Sequence, residues 1–224
     1  MPHAVMLFAA GFGTRMGALT ADRPKPLIEV AGKPLLDHAL ELTADLPTRV
    51  VNAHYRAEQL AAHLDRRGVV LSVEQPEILD TGGGLRHALP LLGPEPVFTL
   101  NTDAVWAGPN PLDLLAEAWD PARMDALLLC VPLANAVGRK GAGDFTLQEG
   151  GQLRWKGDHV YTGAQIIKTE LLAEVPDEAF SLRLLWQRMG DEGRLHGLDY
   201  PGHWADVGHP EGIALAEEML ARNV

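Results

Sequence analysis

Val5-Met6-Leu7-Phe8 is an unbroken apolar run that passes directly into Ala9-Ala10-Gly11-Phe12-Gly13-Thr14-Arg15-Met16-Gly17. A short strand without polar alternation is buried on both faces, as parallel strands under two layers of helices are. Similar runs recur at Arg49 to Asn52, Val69 to Glu74, Val97 to Asn101 and Ala126 to Val131. Segments with helical spacing lie between them, at Leu35 to Leu46, Ala57 to Arg67, Leu85 to Leu92 and Leu112 to Trp119. Strand alternating with helix implies βαβ crossovers and hence a mostly parallel sheet covered on both faces. Ligands of such sheets bind outside the carboxyl ends of the strands, where the glycine-rich stretch emerges.

After about residue 138 the rhythm changes. Gly138, Gly141, Gly143, Gly150, Gly151 and Gly157 break the chain around Asp144 to Gln148 and Leu153 to Trp155, a pattern of hairpins. Val160 to Lys168 reads as a long strand and Ser181 to Met189 as a helix capped by Ser181. Glu211 to Arg222 reads as a closing helix, acidic at its start and basic at its end. The 224 residues suit one domain, and no repeat or linker divides them. The expected fold is therefore α/β: a Rossmann-like sheet over residues 1 to about 137, with a small mixed β/α lobe from about 138 to 224 sharing its cleft.

Hydrophobic residues make up 46% and charged residues 22%, which excludes wholesale disorder, collagen and coiled coil. With 19 Lys plus Arg against 30 Asp plus Glu, the net charge is −11, so no long-range attraction to nucleic acid is expected. The single cysteine, Cys130, cannot form an internal disulfide and sits in the apolar run Ala126 to Val131, which predicts a buried thiol and a reducing cytoplasm. Pro132 and Asn135 end the longest apolar stretch far short of the ~20 residues that span a membrane. Met1-Pro2-His3 lacks the basic start of a secretion signal. Nothing implies an obligate protein partner.

The glycine stretch is neither a dinucleotide fingerprint, which needs glycine where Met16 stands, nor a Walker A loop, because Gly17 precedes Ala18-Leu19. Its small residues nevertheless let a phosphate approach the backbone. Downstream, Arg23-Pro24-Lys25-Pro26-Leu27 holds Lys25 on a rigid loop, since prolines on both sides fix the backbone and deny a helix. Arg15 and Lys25 supply a fork and a point charge suited to a polyphosphate, in a protein that is acidic elsewhere.

Ala9-Ala10-Gly11-Phe12-Gly13-Thr14-Arg15-Met16, Leu19-Thr20, Pro24-Lys25-Pro26-Leu27 and Val30-Ala31-Gly32-Lys33-Pro34-Leu35 together resemble the opening signature of sugar-1-phosphate nucleotidyltransferases. Ala18 departs from it, where proline is usual. The resemblance implies an enzyme joining a nucleoside triphosphate to a sugar 1-phosphate, with release of pyrophosphate. It implies nucleotide contacts from Ala9, Ala10, Gly11, Gly13 and Thr14. Thr81-Gly82-Gly83-Gly84 resembles the segment that meets the base in this family, giving Gly82 and Gly83 as contacts through their backbone.

Asn101-Thr102-Asp103 ends the strand from Val97, and His203-Trp204-Ala205-Asp206-Val207-Gly208 resembles the family's Trp-x-Asp-x-Gly element. The resemblance implies that Asp103 and Asp206 hold Mg²⁺, an ion that favours oxygen ligands and retains substrate phosphates. Arg15, Lys25, Asp103 and Asp206 are thus the expected catalytic set. On the acceptor side, Thr162-Gly163 resembles a step lying under the sugar, and Lys156 stands near the place of a missing Glu-Lys-Pro motif. Asp144 is either a further sugar contact or a hairpin-turn carboxylate.

Chain length, Thr81-Gly82-Gly83-Gly84, Gly143-Asp144-Phe145 and the Trp204 to Gly208 element most resemble family members that use UTP and N-acetylmuramic acid 1-phosphate in cell-wall recycling. A lactyl carboxylate on that acceptor asks for a facing cation, and Arg139, Lys140, Arg154 and Lys156 are the candidates. Alternatives within the class are guanylyl or thymidylyl transfer to mannose or glucose 1-phosphate. A non-catalytic sugar-nucleotide sensor and a dinucleotide-dependent oxidoreductase are competing classes; paired aspartates disfavour the first and Met16 the second. No hexapeptide repeat is present, so one activity is expected.

Overall fold

The computed structural model describes residues 1–223. Its strands are β1 (Ala4–Phe8), β2 (Glu29–Val30), β3 (Lys33–Pro34), β4 (Thr48–Ala53), β5 (Val70–Val73), β6 (Val97–Asn101) and β7 (Ala104–Ala107), followed by β8 (Ala126–Pro132), β9 (Ala136–Val137), β10 (Gly143–Leu147), β11 (Leu153–Gly157), β12 (His159–Ile167), β13 (Leu195–Asp199) and β14 (His203–Asp206). The helices are α1 (Leu35–Glu41), α2 (Ala57–Leu64), α3 (Asp80–Leu92), α4 (Pro111–Ala118), α5 (Arg183–Asp191) and α6 (Pro210–Arg222).

β6, β1, β4 and β5 run side by side and parallel. Met6 and Leu7 are fully buried, because opposite faces of β1 meet different cores. Leu7 packs with α1 and α2 residues such as Leu36 and Leu60, and Met6 with α3 and α5 residues such as Leu85 and Leu185. Each such side chain contributes about 1.5–3 kcal/mol by leaving water. The expected parallel core under two helical layers is present, and Cys130 is buried within it.

The later half is woven into the same sheet. β12 lies antiparallel to β6 and β8, and β13 pairs parallel with β8. The register of β12 shifts between Tyr161 and Gln165, where Gly163 adopts φ 93°. β12 pairs with β6 beyond this bulge and with β10 before it, so β10 and β11 extend the sheet. The small lobe is a three-stranded sheet, β7-β14-β9, carrying α6. It borrows β7 from the first half, so the two halves interleave instead of meeting at residue 137.

Several elements are shorter or longer than their sequence patterns. α1 stops at Glu41 because Thr43 turns back onto the Leu40 carbonyl through both its N–H and its hydroxyl. α3 begins at Asp80, before the glycines, and Ser181 lies two residues before α5, where its Oγ accepts from Arg183 N at 3.4 Å. β7, β9, β13 and β14 follow from no alternation long enough to signal a strand.

Candidate active site

β1 delivers the chain into a cavity of about 320 Å³ at the carboxyl ends of the parallel strands. Ala9, Ala10, Gly11, Gly13, Thr14 and Arg15 form one wall of it. The loop bends at Gly13, φ 64°, where a Cβ would sit only 2.9 Å from Lys25 Cβ and Thr20 Cγ2; a side chain there would push the two loops apart. Thr20 secures the bend by donating its hydroxyl to the carbonyls of Gly13 and Gly17, and the Tyr55 hydroxyl donates to Thr20 O at 2.8 Å.

The opposite wall includes Asn52, Glu74, Ile78, Asp80 and Thr81. Asn52 Oδ1 accepts from Ala9 N at 2.6 Å, Asn52 Nδ2 donates to Glu74 Oε1 at 2.7 Å, and Glu74 Oε2 accepts from Leu79 N at 2.8 Å. One buried amide and one buried carboxylate therefore join the glycine loop to the segment preceding α3. Sequence reasoning missed both. The available signal was a polar residue at the carboxyl end of an otherwise apolar parallel strand.

Lys25, Arg15, Asp103 and Asp206 converge at the rim. Lys25 Nζ lies 2.7 Å from Asp103 Oδ2. β14 pairs with β7 so that Asp206 faces Ala104, next to Asp103, and Val207 N donates to Asp103 O. Gly208 sits between Asp206 and Arg15: a Cβ there would lie 3.0 Å from Asp206 Oδ1 and 3.4 Å from an Arg15 terminal nitrogen. Burial raises the Asp206 carboxyl above the ordinary carboxylate range and the Asp103 charge raises it further, against Lys25, Arg15 and Arg139. A carboxylate whose proton affinity is raised by its neighbour forms with it a pair of oxygen donors for a divalent cation, and ligands of this kind fit Mg²⁺.

The remaining expected residues separate into those at the site and those spent elsewhere. Gly82 and Gly83 lie inside α3, and both N–H groups donate to the Phe180 carbonyl, at 2.8 and 3.1 Å. Added Cβ atoms would overlap the Phe180 ring at Gly82 and Glu178 O at Gly83, so these glycines admit a neighbouring segment and offer no N–H to a base. Thr81, one residue earlier, is the member of that segment lining the cavity.

The Thr162 hydroxyl is buried and donates to Leu129 O, while its carbonyl accepts from Trp204 Nε1. The space a side chain at Gly163 would take is filled by Asn101, whose Cβ would be 2.6 Å from an added methyl. Lys156 is exposed on β11, away from the cavity lining. Asp144 accepts from Arg139 and from Tyr161 N, both at 3.1 Å, and through Arg139 it adjoins Asp206.

Comparison with known proteins identifies the family. Residues 5–137 match the MobA-like NTP transferase domain family. The chain is 44% identical to the N-acetylmuramate alpha-1-phosphate uridylyltransferase of Caulobacter vibrioides, over 98% of each chain. It is 27% identical to the catalytic subunit beta of mannose-1-phosphate guanylyltransferase from Drosophila pseudoobscura pseudoobscura, over 92% of this chain and 59% of that one. A UDP-glucose pyrophosphorylase solved with UDP-glucose superposes over the full length of both chains with a TM-score of 0.77 at 18% identity, which shows the shared fold. The chain belongs to the sugar-1-phosphate nucleotidyltransferases of the MobA-like NTP transferase family.

Proposed function

We propose that this enzyme transfers a uridylyl group from UTP to N-acetylmuramic acid 1-phosphate, yielding the UDP-sugar and pyrophosphate in the cytoplasm as a step of cell-wall recycling. The observation carrying this reading is that Arg15, Lys25 and Asp103 line one cavity with Asp206 beside them at Gly208, in a chain resembling such a uridylyltransferase along nearly its whole length.

An oxygen of the sugar phosphate attacks the α-phosphorus of UTP in line, forming a P–O bond as the bond to pyrophosphate breaks. Both reactants are polyanions, so the chain's first task is to hold them together against repulsion. Lys25 and Arg15 do this at the glycine-loop rim, their positions fixed by Pro24, Pro26 and the Gly13 bend. Charge on the leaving pyrophosphate is met by the same cations, and such preorganised contacts are worth about 3 kcal/mol each. Mg²⁺ held by Asp103 and Asp206 would neutralise phosphate charge and lower the cost of bringing the reactants together. The Asn52–Glu74 pair keeps the two cavity walls in register around the nucleoside.

A pyrophosphate-release screen of UTP, CTP, GTP, dTTP and ATP against a panel of sugar 1-phosphates with Mg²⁺ tests the reading. Highest kcat/KM for UTP with N-acetylmuramic acid 1-phosphate is the expected result. A preference for GTP with mannose 1-phosphate would retain the reaction class and discard the substrate.

A further inference from the structure

We infer that Arg139 is the specificity-determining cation that reads the acceptor's carboxylate, an inference resting on the acceptor proposed above. N-acetylmuramic acid differs from N-acetylglucosamine by a lactyl ether, so selecting it requires a group complementary to that extra anion. A guanidinium suits the task, because its planar fork matches a carboxylate in charge and geometry.

Arg139 is brought alongside β14 by its neighbour. Gly138 has φ 74°, and a Cβ on it would clash with the Asp206 carbonyl oxygen, so only glycine lets the chain run against β14 at this point. The next side chain then projects between Asp206, whose carboxyl feels the Arg139 charge, and Asp144, whose Oδ1 accepts from Arg139 NH2 at 3.1 Å. These two carboxylates hold a cation beside the proposed metal-binding pair. The Arg139 side chain is 29% exposed, yet its buried Nε–H has no partner. Asp144 anchors the guanidinium through one terminal nitrogen, and its partly exposed tip is what an incoming carboxylate can engage.

The other candidate cations are placed for different work. Lys140 is 61% exposed and paired with Glu211, and Arg154 Nε donates to Gln148 on the outer hairpin. Lys156 is exposed on the same hairpin. Arg15 and Lys25 already face the polyphosphate end, with Asp206 and Asp103 respectively. Arg139 alone among these adjoins Asp144 and Asp206 together.

The test compares Arg139→Ala and Arg139→Lys with the parent enzyme for affinity toward N-acetylmuramic acid 1-phosphate and N-acetylglucosamine 1-phosphate. Calorimetry in the presence of a non-reacting methylene analogue of UTP gives a value even for a poor substrate. Arg139→Ala is expected to weaken the muramic acceptor about tenfold more than the glucosamine acceptor, the loss of one charged contact, with Arg139→Lys intermediate. Equal weakening of both acceptors, which would place Arg139 on their common phosphate, overturns the inference, as does no weakening of either. A parent enzyme that binds neither acceptor overturns the proposed substrate itself, and the two failures are thereby separate.

Discussion

Lys25 Nζ stands 2.7 Å from Asp103 Oδ2 across 78 positions of sequence. A lysine held by two prolines and an aspartate between β6 and β7 meet at the rim, where the proposed triphosphate site lies. Before substrate arrives the pair neutralises itself. Lys25→Ala is expected to lower kcat/KM about a hundredfold, the cost of one lost transition-state charge contact. Its thermal midpoint should move little, because partly exposed ion pairs contribute about 1 kcal/mol or less. Parallel loss of activity and melting temperature would instead make Lys25 structural.

Asn52 joins the two walls of the cavity proposed to hold the nucleotide, so its removal should be felt by the nucleotide more than by the sugar. Asn52→Ala leaves Ala9 N and the Glu74 carboxylate without their shared partner, at a cost of about 1–3 kcal/mol. The KM for UTP is expected to rise severalfold more than that for the sugar phosphate. Steady-state kinetics with each substrate varied in turn checks this, and an unchanged ratio of the two KM values contradicts it.

Gly83 is required by packing. An alanine there meets Leu79 Cβ at 3.0 Å and overlaps Glu178 O, both near the start of α3. Gly83→Ala should lose about 1–3 kcal/mol of stability by overpacking. Urea melts report this directly; full stability combined with weakened nucleotide binding would return the glycine to the base site.

Acid stability should depend on Asp125, far from the cavity. Burial alone would raise its carboxyl, but hydrogen bonds from Arg194 and Lys168 outweigh burial and hold it below the usual range. A carboxyl with a depressed folded pKa stabilises the protein above its unfolded value, about 3.9, and loses that contribution as pH falls through the folded value. Asp125→Asn should therefore be less stable than the parent at pH 7, with the gap closing below about pH 4. A gap that persists unchanged at low pH contradicts the account.

Much of this was legible in the sequence because strong local signals coincide with the site. The apolar run of β1, the glycine bend and the proline-flanked Lys25 each have a physical cause within a few residues, and the structure brings them together with Asp103 and Asp206. The base and acceptor contacts were harder to read. Gly82, Gly83 and Gly163 have the composition of binding loops, but their neighbours Phe180, Glu178 and Asn101 come from distant parts of the chain and fill the space their missing side chains leave. Thr162 is likewise turned inward by β8 and Trp204. Asn52 and Glu74 gave only the weak signal of single polar residues ending apolar strands.

The most direct measurement is pyrophosphate release from UTP and N-acetylmuramic acid 1-phosphate with Mg²⁺, by the parent enzyme and by Asp206→Asn, which keeps the side chain's shape and removes its charge. The parent should release one pyrophosphate for each UDP-sugar formed, and the variant should do so about a hundredfold more slowly while melting as a folded protein. No release by the parent, or equal rates in both, would contradict the account.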